Sequence, residues 1–312
     1  MMERNPVVAV VGPTASGKTA LSVALAKSLG GEVISADSMQ IYRSMDVATA
    51  KPTAEEMQGV THHLIDFLEP GESFSVARYC ELAKAAIADI RGRGRLPILC
   101  GGTGLYVDSL LNNMRFEEQE YDPALRAAIT AELEQKGIDV MLDELRSFDP
   151  ESADRLAEGR NPKRIIRCFE VYRSTGMTQT ELNSRQLSAE SPYRAIRLGL
   201  TAADREFLYE RINRRVDLML ENGLLDEARA FYRGGYGETA AAAIGYKELL
   251  PYLHGEADLE SCIESLKRAT RRYAKRQLTW FRRDESTRWF EIDNMSFDEI
   301  KAEAITYIKE SL

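Results

Sequence analysis

The sequence lacks the features of a membrane-spanning, secreted or zinc-binding protein. Its longest apolar runs, such as residues 7–11, are far too short to cross a membrane. The N-terminus has no apolar segment before a small-residue cleavage site, so we expect no secretion signal. The cysteines are far apart, with no CxxC pair and no zinc-ligand spacing: Cys80, Cys100, Cys168 and Cys262. Scattered single thiols suit a reducing cytoplasm, and we expect them to be buried and inert.

The chain also has little positive charge, with a formal net charge of −8 over 312 residues. Contacts to nucleic-acid phosphates need Lys and Arg, so this balance argues mildly against a nucleic-acid partner. The distribution of charge weakens that argument, because basic residues concentrate in segment 267–283: Lys267, Arg268, Arg271, Arg272, Lys275, Arg276, Arg282 and Arg283. A solvated helix face is an equally common use of such a run, so charge does not decide the question.

Strand and helix patterns alternate at the start of the chain. Short apolar runs predict strands over 7–11, 32–36 and 96–100, and helical spacing predicts helices over 18–29 and 73–91. This order predicts right-handed βαβ crossovers and an α/β fold with a doubly wound, mainly parallel sheet.

The pattern changes at about Arg115. Residues 115–191 show helical patterns and no convincing strand, so we predict an all-helical insertion: 123–135, 139–148, 150–157 and 162–173. The catalytic core is then 1–114 plus 192–312. A strand over 195–200 resumes the sheet, and 287–292 can add a last one. The helices predicted between them cover 204–221, 224–233, 246–253 and 258–283.

Residues 12–19 form a complete GxxxxGK[ST] motif, or P-loop: Gly12, Pro13, Thr14, Ala15, Ser16, Gly17, Lys18 and Thr19. The glycines let the backbone curl so that its N–H groups point at phosphate oxygens, and the following helix presents its positive N-terminus to the same anion. Lys18 adds a charge, and the Thr19 hydroxyl can ligate Mg²⁺. The motif predicts a di- or triphosphate site with Mg²⁺ as cofactor; ATP binding is suggested by the motif only. The alternative is a glycine loop that merely turns the chain.

Two further loops follow predicted strands, where the carboxyl ends of a parallel sheet line a ligand crevice. Asp37 comes after strand 32–36; it can ligate Mg²⁺ through water, act as a general base, or simply cap the next helix. Glycines after strand 96–100, at 101, 102 and 104, permit a ligand to approach closely or make a tight turn. No strong apolar run ends in Asp-Glu, as NTP hydrolysis would require.

These segments resemble the tRNA dimethylallyltransferase (isopentenyl-tRNA transferase) family of bacterial type. The matching stretches lie in order over nearly the whole chain: GPTASGKT at 12–19, DSMQIYRSMDVATAKPT at 37–53, HHLID at 62–66, GGTGLY at 101–106, NPKRIIRCFEVY at 161–172, AIGYKEL at 243–249 and KRQLTWFRR at 275–283. The bacterial type is expected because the C2H2 zinc finger of eukaryotic relatives does not follow the basic segment.

The resemblance implies that the P-loop holds the pyrophosphate of dimethylallyl diphosphate rather than ATP. The prenyl group would pass to the exocyclic N6 amine of the adenosine 3′ to the anticodon in tRNA, and the helical insertion would help to grip the anticodon stem-loop. Asp37 would accept the amine proton, while Lys18 and Thr19 with Mg²⁺ would stabilise the leaving pyrophosphate. The family assigns an arginine of 211–215 to the diphosphate. We favour Arg215 and leave Arg211 and Arg214 open.

The resemblance also implies contacts to tRNA. A flipped-out adenine would meet Asp37, Ser38, Met39 and Gln40, and Gln40 can pair bidentately with an adenine edge. Thr103 and Arg126 match family positions that touch tRNA, and further contacts are expected at Asn161, Pro162, Lys163, Arg164, Ile165, Gly245, Tyr246 and Lys247. The chain departs from the family at 240–243, where four alanines replace a longer polar side chain. A contact to RNA is therefore expected to be missing there.

Three other functions compete with this interpretation. A prenyltransferase that acts on free adenine nucleotides would share the P-loop half, but it would not need the helical insertion or the NPKRIIR segment. An ordinary P-loop small-molecule kinase or NTPase, and a tRNA-binding protein without catalysis, are the remaining alternatives. We expect a cytoplasmic monomer with no membrane contact.

Overall fold

Within the residues that the structure describes, six strands form one sheet in which every pairing is parallel. The computed structural model describes residues 4–114, 116, 122–186 and 190–312. The strands are β1 (Asn5–Val11), β2 (Gly31–Ser35), β3 (His62–His63), β4 (Leu96–Gly101), β5 (Tyr193–Thr201) and β6 (Arg288–Glu291), in the order β3-β2-β4-β1-β5-β6. The predicted α/β fold with a doubly wound, mainly parallel sheet is confirmed.

The order of the strands places three loops side by side at one edge. β4 lies between β1 and β2, so the segment after β4 has the P-loop on one side and the segment after β2 on the other. The central strand β1 is buried on both faces: Val7, Val8, Ala9 and Val10 are 0% exposed. A rigid apolar strand therefore anchors the start of the P-loop.

Helices follow or precede these strands. Those of the first half are α1 (Lys18–Leu29), α2 (Ala54–Met57), α3 (Val76–Gly92) and α4 (Gly104–Leu111). Those after β5 are α10 (Arg205–Glu221), α11 (Leu224–Arg233), α12 (Glu238–Ala241), α13 (Tyr246–Leu253), α14 (Leu259–Phe281) and α15 (Phe297–Ser311). α10, α11, α13 and α14 begin and end within two residues of the sequence prediction.

Residues Asn112–Glu190 form a second compact unit, separate from Met1–Leu111 with Ser191–Leu312. Its regular elements within the described residues are helices: α5 (Pro123–Lys136), α6 (Ile138–Phe148), α7 (Pro150–Ala157), α8 (Pro162–Thr175) and α9 (Gln179–Gln186). Ile129, Met141, Leu145 and Phe169 belong to its own core. Arg115, where the insertion was expected to begin, and residues 187–189 lie outside the described residues.

The sequence pattern missed β3 and the helices α2, α4, α9, α12 and α15. α15 matters most for the core, because Ile300, Ala304 and Ile308 pack into the same cluster as Val8 and Leu25. Its signals were present in the sequence: Ile300, Ala304 and Ile308 are spaced by four residues, and a capping box starts the helix at Ser296 with Glu299. β3 contains two residues, too few for any periodicity.

Three of the four cysteines are buried as expected, and Cys100 is half-buried. Burial raises the pKa of Cys80 and of Cys168 to about 11, so both remain thiols at neutral pH. Within the part of the chain that the structure describes, no helix is both long and apolar enough to cross a bilayer.

Candidate active site

The P-loop joins β1 to α1 with a backbone that only glycine permits at two positions. Gly12 has φ 141°, and a Cβ there would lie 2.5 Å from the carbonyl oxygen of Leu200. Gly17 has φ 93° and is the N-cap of α1, where no side chain caps the helix. The first N–H groups of α1 are therefore left for a ligand. Such a helix start after a curled loop binds phosphate oxygens.

Two side chains of the P-loop prepare it for an anion. Ser16 is 3% exposed, and its hydroxyl has no hydrogen-bond partner among the described residues. An orphaned buried hydroxyl costs free energy unless a ligand satisfies it. Lys18 Nζ donates to the carbonyl oxygen of Pro13 at 2.7 Å. The pKa of Lys18 is lowered to about 8, first by burial and also by Arg215, while Cys100 and Asp37 act in the opposite direction.

α10 brings two arginines, one helical turn apart, to the same loop. Arg211 Nε donates to the carbonyl oxygen of Ala15 at 2.9 Å. The pKa of Arg215 is lowered, chiefly by burial and also by the charge of Arg211. The carboxylates of Asp37 and Glu56 act in the opposite direction. Arg214 is exposed on the same helix. Of the three candidates, Arg215 is the arginine whose charge acts on both Lys18 and Asp37.

Asp37 follows β2, beside these cations. Its Oδ1 accepts hydrogen bonds from the backbone N–H groups of Met39 at 2.9 Å and Gln40 at 3.4 Å. No helix begins here, because the next one is α2 and Thr53 caps it, so the helix-cap alternative for Asp37 is wrong. The two hydrogen bonds close a turn, and they suit a catalytic role because they fix the carboxylate in one orientation. The charge of Asp37 also acts on Tyr106 and Tyr273, whose pKa values are raised chiefly by burial.

The Gln40 amide, which was predicted to pair with the adenine, already makes hydrogen bonds within the protein. Its Oε1 accepts from Ser35 Oγ at 3.3 Å, and its Nε2 donates to the carbonyl oxygens of Thr49 and Ala50 at 3.3 and 3.2 Å. Pairing with an adenine edge requires those contacts to be exchanged. Ser38 and Met39 are half-buried in the same loop.

The glycines at the end of β4 and just beyond it make room for protein groups, which favours the tight-turn alternative over the close approach of a ligand. A Cβ at Gly101 would lie closer than 3.0 Å to the backbone of Ala36, one at Gly102 as close to the Gln277 amide, and one at Gly104 as close to the Trp280 ring. Thr103, between them, faces the Asp37 loop. Its Oγ1 accepts from the N–H of Ser38 at 3.0 Å, and its own N–H donates to the Ala36 carbonyl at 3.0 Å.

Two residues that the sequence argument did not single out organise these loops. Gln277, on α14, accepts from the N–H of Thr14 at 2.9 Å and donates to the carbonyl oxygen of Gly102 at 3.0 Å. Glu227, on α11, accepts three backbone N–H groups of residues 46–48 and the hydroxyl of Tyr246. Gln277 lies within the KRQLTWFRR stretch. Its position as an uncharged polar residue in a basic helix is the feature of the sequence that could have drawn attention to it.

Three of the predicted tRNA-contact residues are buried. Ile165 is 0% exposed in the core of the second unit, and Tyr246 is 0% exposed with its hydroxyl bound to Glu227. Gly245 is buried too, and a Cβ there would lie 3.2 Å from Ala48 Cβ. These residues pack within the protein, so a contact to tRNA at these positions stays a prediction. Lys247 is exposed.

The other predicted contacts of the second unit lie at its surface. The side chain of Asn161 caps α8 by accepting from the N–H of Arg164 at 3.3 Å, and the exposed first turn includes Pro162, Lys163 and Arg164. Arg126 is partly engaged, since its guanidinium pairs with the Glu170 carboxylate at 2.9 Å.

The fold and these loops define a P-loop protein with cations and one carboxylate gathered at the carboxyl edge of a parallel sheet. The family model described as IPP transferase matches residues 40–284. The tRNA dimethylallyltransferase of Halalkalibacterium halodurans is 48% identical over 296 residues, which is 95% of this chain and 94% of the relative. That of Bacillus licheniformis is also 48% identical, over 98% of this chain and 97% of the relative.

Solved structures agree. The tRNA isopentenylpyrophosphate transferase of Bacillus halodurans superposes with a TM-score of 0.74 at 46% identity, covering 98% of this chain and 96% of that one. A eukaryotic dimethylallyltransferase described as acting on tRNA has a TM-score of 0.73 at 32% identity, covering 89% of this chain and 70% of that one. The chain belongs to the IPP transferase family, and the resemblance given by its motifs is confirmed.

Proposed function

We propose that the protein transfers a dimethylallyl group from dimethylallyl diphosphate to the exocyclic N6 amine of the adenosine 3′ to the anticodon in tRNA, releasing diphosphate. One observation carries the chemistry: Lys18 of the P-loop and Arg215 of α10 both interact electrostatically with the Asp37 carboxylate. Cations beside a helix N-terminus suit a leaving diphosphate, and a carboxylate held next to them suits a proton acceptor. The near-full-length likeness to enzymes named tRNA dimethylallyltransferase supports the choice of substrates.

On the donor side, the diphosphate oxygens would lie against the first N–H groups of α1, with Ser16 supplying its unpaired hydroxyl. Lys18 would leave the Pro13 carbonyl for the anion, which would also raise its pKa back toward that of a free lysine. Arg215 would face the charge that develops as the C–O bond breaks, so it stabilises the transition state more than the ground state.

A magnesium ion fits this site through hard oxygen donors. Thr19 is half-buried in the first turn of α1, and Asp37 is half-buried in the loop that follows β2. Mg²⁺ typically takes one or two protein oxygens and completes its shell with substrate phosphates and water. Bound there, it would offset the negative charge of the leaving group. Thr19 would hold it directly, and Asp37 through water.

On the acceptor side, the adenine amine is a weak nucleophile because its lone pair is delocalised into the ring. A bond forms between N6 and the first carbon of the prenyl group while the bond from that carbon to the diphosphate oxygen breaks. The electron pair of the broken bond leaves with the diphosphate, and the N6 proton passes to Asp37. The Met39 and Gln40 N–H groups hold Asp37 in place for this transfer.

The surface of the second unit supports tRNA as the partner. The exposed first turn of α8 presents Lys163 and Arg164 beside a helix N-terminus, a combination that suits phosphate oxygens. A basic run on α14 offers further contacts, including Arg272, Lys275 and Arg276, all exposed. A tRNA substrate implies that the enzyme works in the cytoplasm; a monomer remains our expectation.

The test is incubation of the protein with dimethylallyl diphosphate, Mg²⁺ and either tRNA or AMP, followed by mass spectrometry of both acceptors. We expect one added prenyl group on tRNA and none on AMP. Prenylated AMP with unmodified tRNA would favour the nucleotide prenyltransferase. ATP turnover without prenylation would favour a kinase or NTPase, and tRNA binding without any reaction would leave a binding protein.

A further inference from the structure

The Gln277 side chain lies between the loops that follow β1 and β4 and bonds to both. It belongs to α14 and is 5% exposed. Its Oε1 accepts from the N–H of Thr14, in the P-loop, and its Nε2 donates to the carbonyl oxygen of Gly102. The backbone partners fix the orientation of the amide, since an N–H can only donate and a carbonyl can only accept.

The bridge continues to the carboxylate. Gly102 precedes Thr103, whose Oγ1 accepts from the N–H of Ser38 and whose N–H donates to the Ala36 carbonyl. Those two contacts flank Asp37. A continuous series of hydrogen bonds therefore runs from the P-loop, through Gln277 and the segment after β4, to both neighbours of Asp37.

We propose that Gln277 is a positioning residue for prenyl transfer: its amide sets the separation between the diphosphate loop and the loop of Asp37. This inference rests on the proposed function. Prenyl transfer needs the leaving oxygen, the acceptor amine and the base in one geometry, and displacement of about 1 Å costs on the order of 100-fold in rate. Besides Thr14 and Gly102, the Gln277 side chain also bonds to the Tyr273 hydroxyl, so each of its observed polar contacts is to the protein.

The packing of α14 makes the bridge rigid. Gly102 leaves no room for a Cβ beside the Gln277 amide, and Gly104 leaves none beside the Trp280 ring. Trp280 Nε1 donates to Asp108 Oδ2 at 2.6 Å, and the buried Arg197 pairs with the same carboxylate. Because water is excluded at 5% exposure, a lost amide contact at Gln277 is not replaced by solvent.

Two substitutions separate the contacts. Gln277→Leu keeps the volume and removes both hydrogen bonds. Gln277→Glu keeps the acceptor for Thr14 but, when ionised, places a carboxylate oxygen against the Gly102 carbonyl. Burial raises the pKa of an introduced carboxyl group, and once protonated it can donate to Gly102 as the amide does. Ser191→Ala is the matched control. Ser191 Oγ donates to the carbonyl oxygen of Leu111 and accepts from the N–H of Tyr193, so it also bridges two segments. It lies before the start of β5, whereas the site lies at the carboxyl ends of the strands.

The experiment measures single-turnover prenylation of tRNA with saturating substrates, the tRNA dissociation constant and the dissociation constant of inorganic diphosphate with Mg²⁺. For Gln277→Leu we expect the rate of the chemical step to fall about 100-fold with tRNA affinity nearly unchanged. For Gln277→Glu we expect the rate relative to wild type to recover as pH falls from about 8.5 to about 6, whereas that of Gln277→Leu stays flat. Ser191→Ala should keep the wild-type rate.

Equal chemical rates in wild type and Gln277→Leu would overturn the proposal, and so would a flat relative pH profile for Gln277→Glu. If Gln277→Leu does not fold, the pH profile of Gln277→Glu decides alone. If wild type does not prenylate tRNA, the proposed function fails. The role of Gln277 is then tested by the affinity for inorganic diphosphate with Mg²⁺. Weaker diphosphate binding in Gln277→Leu but not in Ser191→Ala supports a bridged P-loop, and equal binding in all three rejects it.

Discussion

Removing the Glu227 carboxylate should loosen the loop that carries Asp37. Glu227 Oε2 accepts from the N–H groups of Asp46 at 2.8 Å and Val47 at 2.7 Å, and Oε1 accepts from Ala48 at 2.9 Å. Tyr246, fully buried, donates its hydroxyl to the same carboxylate at 2.9 Å. A single side chain from α11 therefore satisfies three successive backbone donors that no strand or helix pairs.

The size of the effect follows from these contacts. A hydrogen bond to a charged acceptor contributes roughly 1.5–3 kcal/mol, and an orphaned buried donor costs a similar amount. The Asp46 amide is exposed to solvent and contributes little, whereas the amides of Val47 and Ala48 are partly buried. Glu227→Ala should thus lower the free energy of local loop opening by about 3 kcal/mol, which is roughly 100-fold in the opening equilibrium.

Hydrogen exchange read by mass spectrometry on peptides that cover 44–51 measures this directly. We expect exchange at 46–48 to accelerate about 100-fold in Glu227→Ala, and turnover to fall because Asp37 loses its fixed position. Asp226→Ala is the matched control: Asp226 is the preceding residue on α11, and its carboxylate makes a surface pair with Arg229. Unchanged protection of 46–48 in Glu227→Ala would refute the reasoning, whatever happens to turnover.

Three other results are expected. Asp37→Asn should lower turnover by about 10²–10⁴-fold with tRNA affinity nearly unchanged, in quenched-flow and binding assays, and unchanged turnover would remove Asp37 as the base. Lys18 has its pKa lowered to about 8, so it loses its charge above that pH; diphosphate affinity measured by calorimetry should decline there, and Lys18→Met should show no such decline. Glu32 has its pKa lowered to about 2, first by its hydrogen bond from Arg93; its contribution to stability is full above about pH 4.5 and is lost as pH falls toward 2. Between these two pH values, the free energy of unfolding measured in urea should therefore fall by roughly 2 kcal/mol less in Glu32→Gln than in wild type. An equal fall in both proteins would contradict the ion-pair account.

Much of the fold was predictable because its determinants are local. The apolar run of β1, the glycines at 12 and 17, and the helical spacing of α1 act within a few residues of one another. The spacing of apolar residues predicted the first and last residues of α10, α11, α13 and α14 to within two positions. Short elements escaped, since β3 and α2 contain too few residues to show a period.

Within the site, the sequence by itself determined the P-loop, Lys18, Thr19 and the placement of Asp37 after a strand, because motif spacing and strand order fix them. Only the tertiary structure decided which side chains make their contacts within the protein. Ile165 and Tyr246 match family motifs but are buried, and the Gln40 amide is bonded to its own loop.

The residues that hold the loops were hidden for a physical reason. Gln277 lies 263 positions from Thr14, and Glu227 lies 181 from Asp46. No periodicity connects residues so far apart; their contacts exist only after the sheet has formed and α11 and α14 have packed beside it. The sequence determined which groups can do the chemistry, and the packing of distant helices decided what holds them in position.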